Sequence, residues 1–434
     1  MNDEISRVDS ANRTVSFVVD QRLCTGCGTC VPACPSKALS MEETSAGFCR
    51  PRIDEQRCVG CGMCYRACSG VHHHFPLPEH LDELFLPRPR RVFLGRACDP
   101  EIHSRGQSGG VATALLNFLL ERKSVSHALV TSMPANGSLR PQPVFATSRE
   151  QLLECVGSKY CMNPLNAALA GLPEGLDGLA VVGLPCHIHG IRNLQQLVPR
   201  RWDGVFRCLI GLFCLQVGGY LCMDNFLRLR NVSKPVSRVV FRKKIIAGEP
   251  GEPCIEYADG TCQILKEDFV GLFSAFAPLR CGFCFDQMNQ MSDLALGDPN
   301  GFPDEITSKG LNTIAVYTPV GEKILESAEQ QGAVKLFDCS REQIWQGQLV
   351  LQARKPRVIS HWSRWKELHR PVPDVGALEN LRPIPQSRFS RMNMEFMWRF
   401  EGVSDRSKAY RSLMRRIWLR KRWGKVRRYL GRRG

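Results

Sequence analysis

Two stretches near the start of this 434-residue chain carry its most specific chemistry. CTGCGTCVPACP begins at Cys24 and CVGCGMCYRACS at Cys58, and each reads C-x2-C-x2-C-x3-C. That spacing places three thiolates around one iron–sulfur cube and sends the fourth to its neighbour. Cys24, Cys27, Cys30 and Cys68 then hold one [4Fe-4S] cluster, and Cys58, Cys61, Cys64 and Cys34 hold a second. Gly26, Gly28, Gly60 and Gly62 leave room for backbone amides to close on the sulfurs. A pair of structural zinc sites is the competing reading, but this triplet spacing with a reciprocal fourth cysteine is a poor zinc pattern. Cys49 lies between the runs without a partner and reads as a packed thiol. His72, His73 and His74 follow the second run and read as a solvated or capping triplet, not as ligands.

The double run is that of bacterial ferredoxins, with Ser69 where the second run usually has proline. It carries single electrons, and the several hundred residues behind it should contain what those electrons serve. A flavin is the cofactor that turns one-electron steps into a two-electron reduction. RGQSGGVATAL (105–115) offers a cradle: Ser108, Gly109 and Gly110 open a helix, where free N–H groups and the helix dipole favour phosphate. It is neither a dinucleotide fingerprint nor a Walker loop, and a glycine turn before a core helix explains it equally well. RCGFCFDQMNQMSDLALGDPNG (280–301) contains Cys281 and Cys284 at ligand spacing, then no further cysteine, so two ligands must come from elsewhere or the pair is no site.

The elements that position these residues alternate between strand-like and helix-like runs, an α/β pattern. SGGVATALLNFLLERK reads as a helix and HALVTSM as the strand after it. GLAVVGL (178–184), RCLIGLFC (207–214), SDLALGD (292–298) and NTIAVYT (312–318) read as strands, and HIHGIRNLQQL as a helix. Pro-punctuated residues 71–91 read as a linker, and Pro-rich residues 370–387 as a spacer before the C-terminal tail. Of the formal charge of +16, residues 387–434 carry +13, from sixteen Lys+Arg against three Asp+Glu. Tyr410, Leu413, Met414, Ile417 and Trp418 fall there at helical spacing among basic residues. The tail therefore suits an anionic membrane surface or an acidic partner, while the nearly neutral body argues against a specific nucleic-acid partner. No secretory leader or apolar run of membrane-spanning length is visible, so a cytoplasmic protein, peripheral at most to the inner face of the membrane, is expected. Twenty-one cysteines in that setting are ligands or packed thiols. Cys98, Cys155, Cys161, Cys208, Cys222, Cys254, Cys262 and Cys339 have no ligand context and default to packing.

RGQSGGVATALLNFLLE, GSKYCMNPL, VVGLPCHIHGIRNL, LIGLFC and CGFCFDQMNQMSDLALGDPNG occur in that order over roughly residues 90–330. Together they resemble the beta-subunit family of coenzyme F420 (deazaflavin) hydrogenases and dehydrogenases, in which a fused ferredoxin module is common. The resemblance implies an iron–sulfur flavoprotein oxidoreductase with FAD and a third [4Fe-4S] cluster, exchanging electrons with a redox partner protein or ferredoxin and a small organic acceptor or donor. A non-catalytic protein that only relays electrons to a partner enzyme is the alternative. The fold implied is α+β and α/β: a small 2[4Fe-4S] module (18–70), the linker (71–91), a mixed α/β flavin-binding region in two parts (92–175 and 176–370), and the basic helical tail (387–434). Matching positions put Ser108, Gly109, Gly110, Thr113, Ser158, Lys159, Gly297 and Asp298 at the FAD, with Lys159 able to neutralise phosphate or reduced flavin. Cys186 and Cys214 each end a strand-like run, and strand ends converge on one sheet edge, so they are the expected partners of Cys281 and Cys284, although packed thiols are the other fate open to them. His187 stands where the family usually has glutamine, and His189 follows. Either is a candidate proton donor, or a hydrogen-bonded histidine at a helix start.

Overall fold

Runs of Val, Ile, Leu and Ala without charge form strands that are covered on both faces, the signature of parallel sheet in an α/β layer structure. The computed structural model describes residues 13–419 except 75, 77–80, 135, 230, 231, 233, 245–250, 265–275, 376, 377, 379–384, 386, 387, 406, 407, 410, 413, 414 and 417. Strands β1 (Leu39–Glu43) and β2 (Cys49–Ile53) form a hairpin in the first module. Then come β3 (Arg91–Ala97), β4 (His127–Ser132), β5 (Gln142–Ala146), β6 (Leu179–Gly183) and β7 (Phe206–Leu212). A separate three-stranded antiparallel sheet contains β8 (Val236–Lys243), β9 (Glu252–Tyr257) and β10 (Cys262–Ile264). The chain returns through β11 (Leu294–Gly297), β12 (Asn312–Val316) and β13 (Val334–Asp338).

The main sheet runs β13-β3-β12-β11-β7-β6-β4-β5. Its centre, β4, β6, β7 and β11, is parallel, and the outer pairings are antiparallel. Period-two alternation sorts its side chains. Ala128, Val130, Ala180, Ile210 and Leu294 face the helix Val111–Glu121, while Leu129, Leu179, Val181 and Leu209 face the helix Pro185–Leu197. The strands and helices expected from local pattern are present. The β8–β10 sheet has no counterpart among those expectations, because its strands alternate with charge and lack a continuous apolar run.

Three segments expected to be spacers or tail are packed instead. Residues 71–91 contain a short helix, Leu81–Phe85, whose Leu84 and Phe85 are buried. Val375 and Leu378 of the Pro-rich spacer are buried, and Trp362 Nε1 donates to Pro373 O. The helix Arg388–Glu401, the start of the basic tail, buries Met394, Met397 and Phe400 against the ferredoxin-like module and the turn Leu279–Phe283. Burying each such side chain is worth about 1.5–3 kcal/mol, enough to override the polarity of the surrounding sequence. Tyr410, Leu413, Met414 and Ile417 of the expected amphipathic face lie outside the described residues, and Trp418 is exposed. Among the described residues no helix is long and apolar enough to cross a membrane.

Candidate functional site

In the first cysteine quartet, the Cys30 thiol lies among Cys24, Cys27, Cys64 and Cys68, and burial with these neighbours pushes its pKa well up. Cys68 is raised by burial and by Cys27 and Cys24. The four run glycines adopt φ of +67° to +83°, the left-handed turns that let the chain wrap a centre. Backbone N–H groups aim at sulfur: Gly26 N donates to Cys24 Sγ at 3.4 Å, Ala38 N to Cys34 Sγ at 3.3 Å and Val15 N to Cys64 Sγ at 3.4 Å. The second quartet, Cys34, Cys58, Cys61 and Cys64, lines one small cleft, with Cys61 and Val59 at the surface. Cys49 is a packed thiol whose pKa burial pushes up to about 12.

The structure brings Cys186 and Cys214 near Cys281 and Cys284. Cys186 is raised first by burial, then by Cys27, Cys214, Cys281 and Cys284. Cys214 is raised by burial, Cys281 and Cys284. The strand-end picture holds for Cys186, just after β6, and for Cys214, two residues past β7. Cys281 and Cys284 come instead from a 3-10 turn, with Cys284 ten residues before β11. Their loop is pulled over the carboxyl ends of β6 and β7. Asn289 Nδ2 donates to Gly183 O at 2.9 Å and Leu212 O at 3.3 Å, and Cys214 N donates to Gln287 O at 2.9 Å.

Arg354 and Arg280, not singled out from sequence, hold this third quartet in place. Arg354 is 1% exposed and donates to Cys284 O at 2.8 Å, Leu215 O at 2.5 Å and Cys281 O at 3.1 Å. Arg280 is 3% exposed and donates to Gly70 O at 2.7 Å and Ser69 O at 3.3 Å. Neither makes an ion pair with a carboxylate among the described residues, and a buried guanidinium needs a counter-charge. Four thiolates on an iron–sulfur cube supply that charge where four neutral thiols do not, so the residues present fit such a cluster. Among the described residues no three His, Cys, Asp or Glu side chains are grouped as ligands of a single metal ion. A cube gives each thiolate its own iron and so spaces the thiolates more widely.

The two histidines are committed to protein partners. His187 Nδ1 accepts from Leu184 N at 3.1 Å and its Nε2 lies 3.0 Å from Asn163 O. This arrangement caps the helix start and engages both ring nitrogens within the protein; burial lowers its pKa to about 4. His189 Nε2 lies 2.8 Å from Asp286 Oδ2, and its ring stacks on Phe285.

Ser108, Gly109, Gly110, Gly297 and Asp298 come together at the carboxyl edge of the sheet, as open α/β sheets place ligands. The expected free N–H groups are partly taken. Asn312 Oδ1 accepts from Gly109 N at 3.0 Å and Val111 N at 3.2 Å. A Cβ on Gly109 would meet the backbone of Gly95 and Asn312, and one on Gly297 would overlap the Phe213 ring, so packing requires both glycines. Ser108 Oγ donates to Asp298, Arg242 Nη1 pairs with Asp298 at 2.8 Å, and Lys244 Nζ donates to Ser108 O at 3.0 Å. Thr113 is part-buried in the helix that follows. Ser158 and Lys159 line a small adjoining cleft with Gln107, Arg238 and Phe241. Lys159 donates to Cys155 O and, at 3.3 Å, to Val156 O, and burial lowers its pKa to about 8. Four cations, Lys159, Arg238, Arg242 and Lys244, gather at this edge and cleft with three acids, Asp298, Glu154 and Glu256, the last 3.8 Å from Arg238 Nε, and Gln107 Oε1 is buried with no partner among the described residues. This donor set fits a pyrophosphate. Arg238, Arg242 and Lys244 escaped the sequence reading because their run, RVVFRKK, looks like any amphipathic strand. Of the cysteines expected to pack, Cys161, Cys208, Cys222 and Cys254 are buried, whereas Cys98 and Cys262 are exposed at the end of one strand and the start of another.

Two family models for the beta subunit of coenzyme F420 hydrogenase/dehydrogenase match, its N-terminal part over residues 92–170 and its C-terminal part over 176–342. Residues 23–69 match a 4Fe-4S dicluster domain. The chain is 29% identical to coenzyme F420-dependent sulfite reductase of Methanocaldococcus jannaschii over 75% of its own length, spanning about half (49%) of that protein. It is 25% identical to the beta subunit of coenzyme F420 hydrogenase from Methanothermobacter thermautotrophicus, over 56% of this chain and 82% of that one. A chain of the F420-reducing [NiFe] hydrogenase complex from Methanosarcina barkeri shares the fold, with a TM-score of 0.52 at 24% identity over 65% of this chain and 93% of that one.

Proposed function

The chain belongs to the coenzyme F420 hydrogenase/dehydrogenase beta-subunit family, with a 4Fe-4S dicluster module in front, and from that premise we propose that it is an iron–sulfur flavoprotein oxidoreductase. It exchanges single electrons with a redox partner protein or ferredoxin and a two-electron equivalent with a small organic molecule. The observation that carries this reading is the series of three cysteine quartets. One is at the surface at Cys61, one is buried at Cys30, and one lies at the carboxyl edge of the sheet, the edge that also carries Ser108, Gly297 and Asp298.

FAD, when bound, couples one-electron and two-electron transfer. The chain's own residues would hold it by its phosphates. Lys159, Arg238, Arg242 and Lys244 supply charge, and Ser108, tied to Asp298, supplies a polar lip. Cys186, Cys214, Cys281 and Cys284 would hold the third cluster, with Arg354 fixing their loop and balancing its charge. Lys159, which lines the cleft and donates to Cys155 O and Val156 O, would offset negative charge on phosphate or reduced flavin. The geometry of His187 favours a positioning role at the helix start.

Anaerobic purification with iron, sulfide and flavin quantified tests the proposal. Three cubes correspond to about twelve iron and twelve sulfide per chain, with one FAD. The same sample is then assayed with reduced deazaflavin, NAD(P)H and ferredoxin. A Cys281→Ser chain that kept the full load would remove the third cluster from the reading. The alternative, a protein that only relays electrons, draws support from the small cleft and from relatives named as parts of larger complexes. A chain with clusters but no flavin would establish it.

A further inference from the structure

The two cysteine runs are near-copies, yet they differ at two places that face the same sulfur. Thr29 stands in the first run where Met63 stands in the second, and Ser69 follows the second run where Pro35 follows the first. Both hydroxyls converge on Cys27. Thr29 Oγ1 lies 3.1 Å from Cys27 Sγ, and Ser69 Oγ lies 3.5 Å from it. Ser69 has a nearer acceptor, Cys186 O at 2.9 Å. Thr29 is differently placed, because Asn166 Nδ2 donates to its oxygen at 2.9 Å. A hydroxyl has one proton, so with a donor on its oxygen the O–H of Thr29 is left to point at sulfur.

Asn166 is held rigidly enough to enforce this. It is fully buried, its backbone N–H donates to Cys27 O at 3.0 Å, and its side chain also donates to His187 O at 2.8 Å. The slot for Thr29 is cut into the helix Pro185–Leu197 at Gly190, where a Cβ would overlap Thr29 Oγ1. A Cβ on Gly28 would stand 2.6 Å from Ala167 N, so the two regions meet backbone to backbone. The equivalent sulfur of the second run, Cys61, is exposed, and Met63, in the place of Thr29, has no hydroxyl and accepts at its sulfur from Arg66 Nη2 at 2.7 Å.

We propose that Thr29, oriented by Asn166, raises the reduction potential of the cluster held by Cys24, Cys27, Cys30 and Cys68, a hydroxyl contact the sister cluster lacks at the equivalent position. The proposal rests on the iron–sulfur reading of the two runs. A hydrogen bond to a ligating thiolate withdraws charge and favours the more negative, reduced cluster. The body of the protein thereby sets the potential of the ferredoxin-like module through a single side-chain contact. Thr29 and Asn166 are positioning residues, since neither ligates iron.

The test is a redox titration of the anaerobically purified full chain, followed by electron paramagnetic resonance. In Thr29→Val, which keeps shape and removes the O–H, one of the two ferredoxin-module midpoints should move to more negative potential while the other stays. Thr29→Ser should restore most of the shift. Thr29→Ala gives the same readout if the valine disturbs packing. Unmoved midpoints at full iron and sulfide, or an equal shift of both clusters, would overturn the proposal. A wild-type chain with less than two cubes' worth of iron and sulfide would overturn the iron–sulfur reading on which it rests.

Discussion

Arg354 shows how much of the third site depends on one side chain that does no chemistry itself. Its guanidinium gathers the carbonyls of Cys281, Cys284 and Leu215, of which Cys281 O also accepts from Cys284 N at 3.4 Å within the 3-10 turn. Replacing it with Met removes charged hydrogen bonds worth about 1.5–3 kcal/mol each and leaves those carbonyls buried. The expected outcome is loss of one cube's worth of iron with the two ferredoxin-type clusters retained, read by iron and sulfide analysis. Lys159 gives a second expectation at this scale. Burial lowers its pKa to about 8, below that of a free lysine, because the site disfavours the charged form. A phosphate held by its ammonium is held fully below that pH and released as the pH rises through and beyond it. Flavin retention, followed by fluorescence between pH 6 and 10, should therefore weaken above about pH 8. In Lys159→Met retention should be weaker throughout and much flatter with pH.

The helix Arg388–Glu401 shows the same dependence among elements. Glu401 ends it inside the protein, where Arg50 Nη2 pairs with it at 2.7 Å and Leu279 N donates to its other oxygen. Burial pushes the Glu401 carboxyl up while Arg50 draws it down, and Arg50 in turn adjoins Cys24. Removing one member of a buried pair strands the other, at about 3–5 kcal/mol. Glu401→Ala should lower the urea midpoint accordingly, and the Arg50→Met/Glu401→Met pair should recover most of the loss. Helix against helix-turn, Gly190→Ala should cost about 1–3 kcal/mol by overpacking on Thr29. The same unfolding measurement checks it.

Across the whole molecule, charge is unevenly distributed, and the strongly basic segment begins with a helix packed on the ferredoxin-like module. The quartets run from the surface at Cys61 to the carboxyl edge at Cys186, while most of the net charge lies in residues 387–434. If that charge recruits an anionic surface, deletion of residues 405–434 should abolish co-sedimentation with anionic vesicles at low salt, and raising the salt should weaken binding of the intact chain. No loss on deletion would remove the membrane from the reading.

The cysteine runs, the parallel strands and the helix after Gly110 were legible in the sequence because their determinants are local: ligand spacing within a dozen residues, and unbroken apolar runs. The pairing of Cys186 and Cys214 with Cys281 and Cys284 rested on strand ends meeting at one sheet edge together with the resemblance to a family, since nothing in their spacing joins them. Only the tertiary structure decided that Asn312 caps the glycine turn, that His187 is engaged at both ring nitrogens, and that the start of the basic tail is core. The reason is distance along the chain. Thr29 meets Asn166 across 137 positions and Arg50 meets Glu401 across 351, and no local pattern records a contact that packing alone creates.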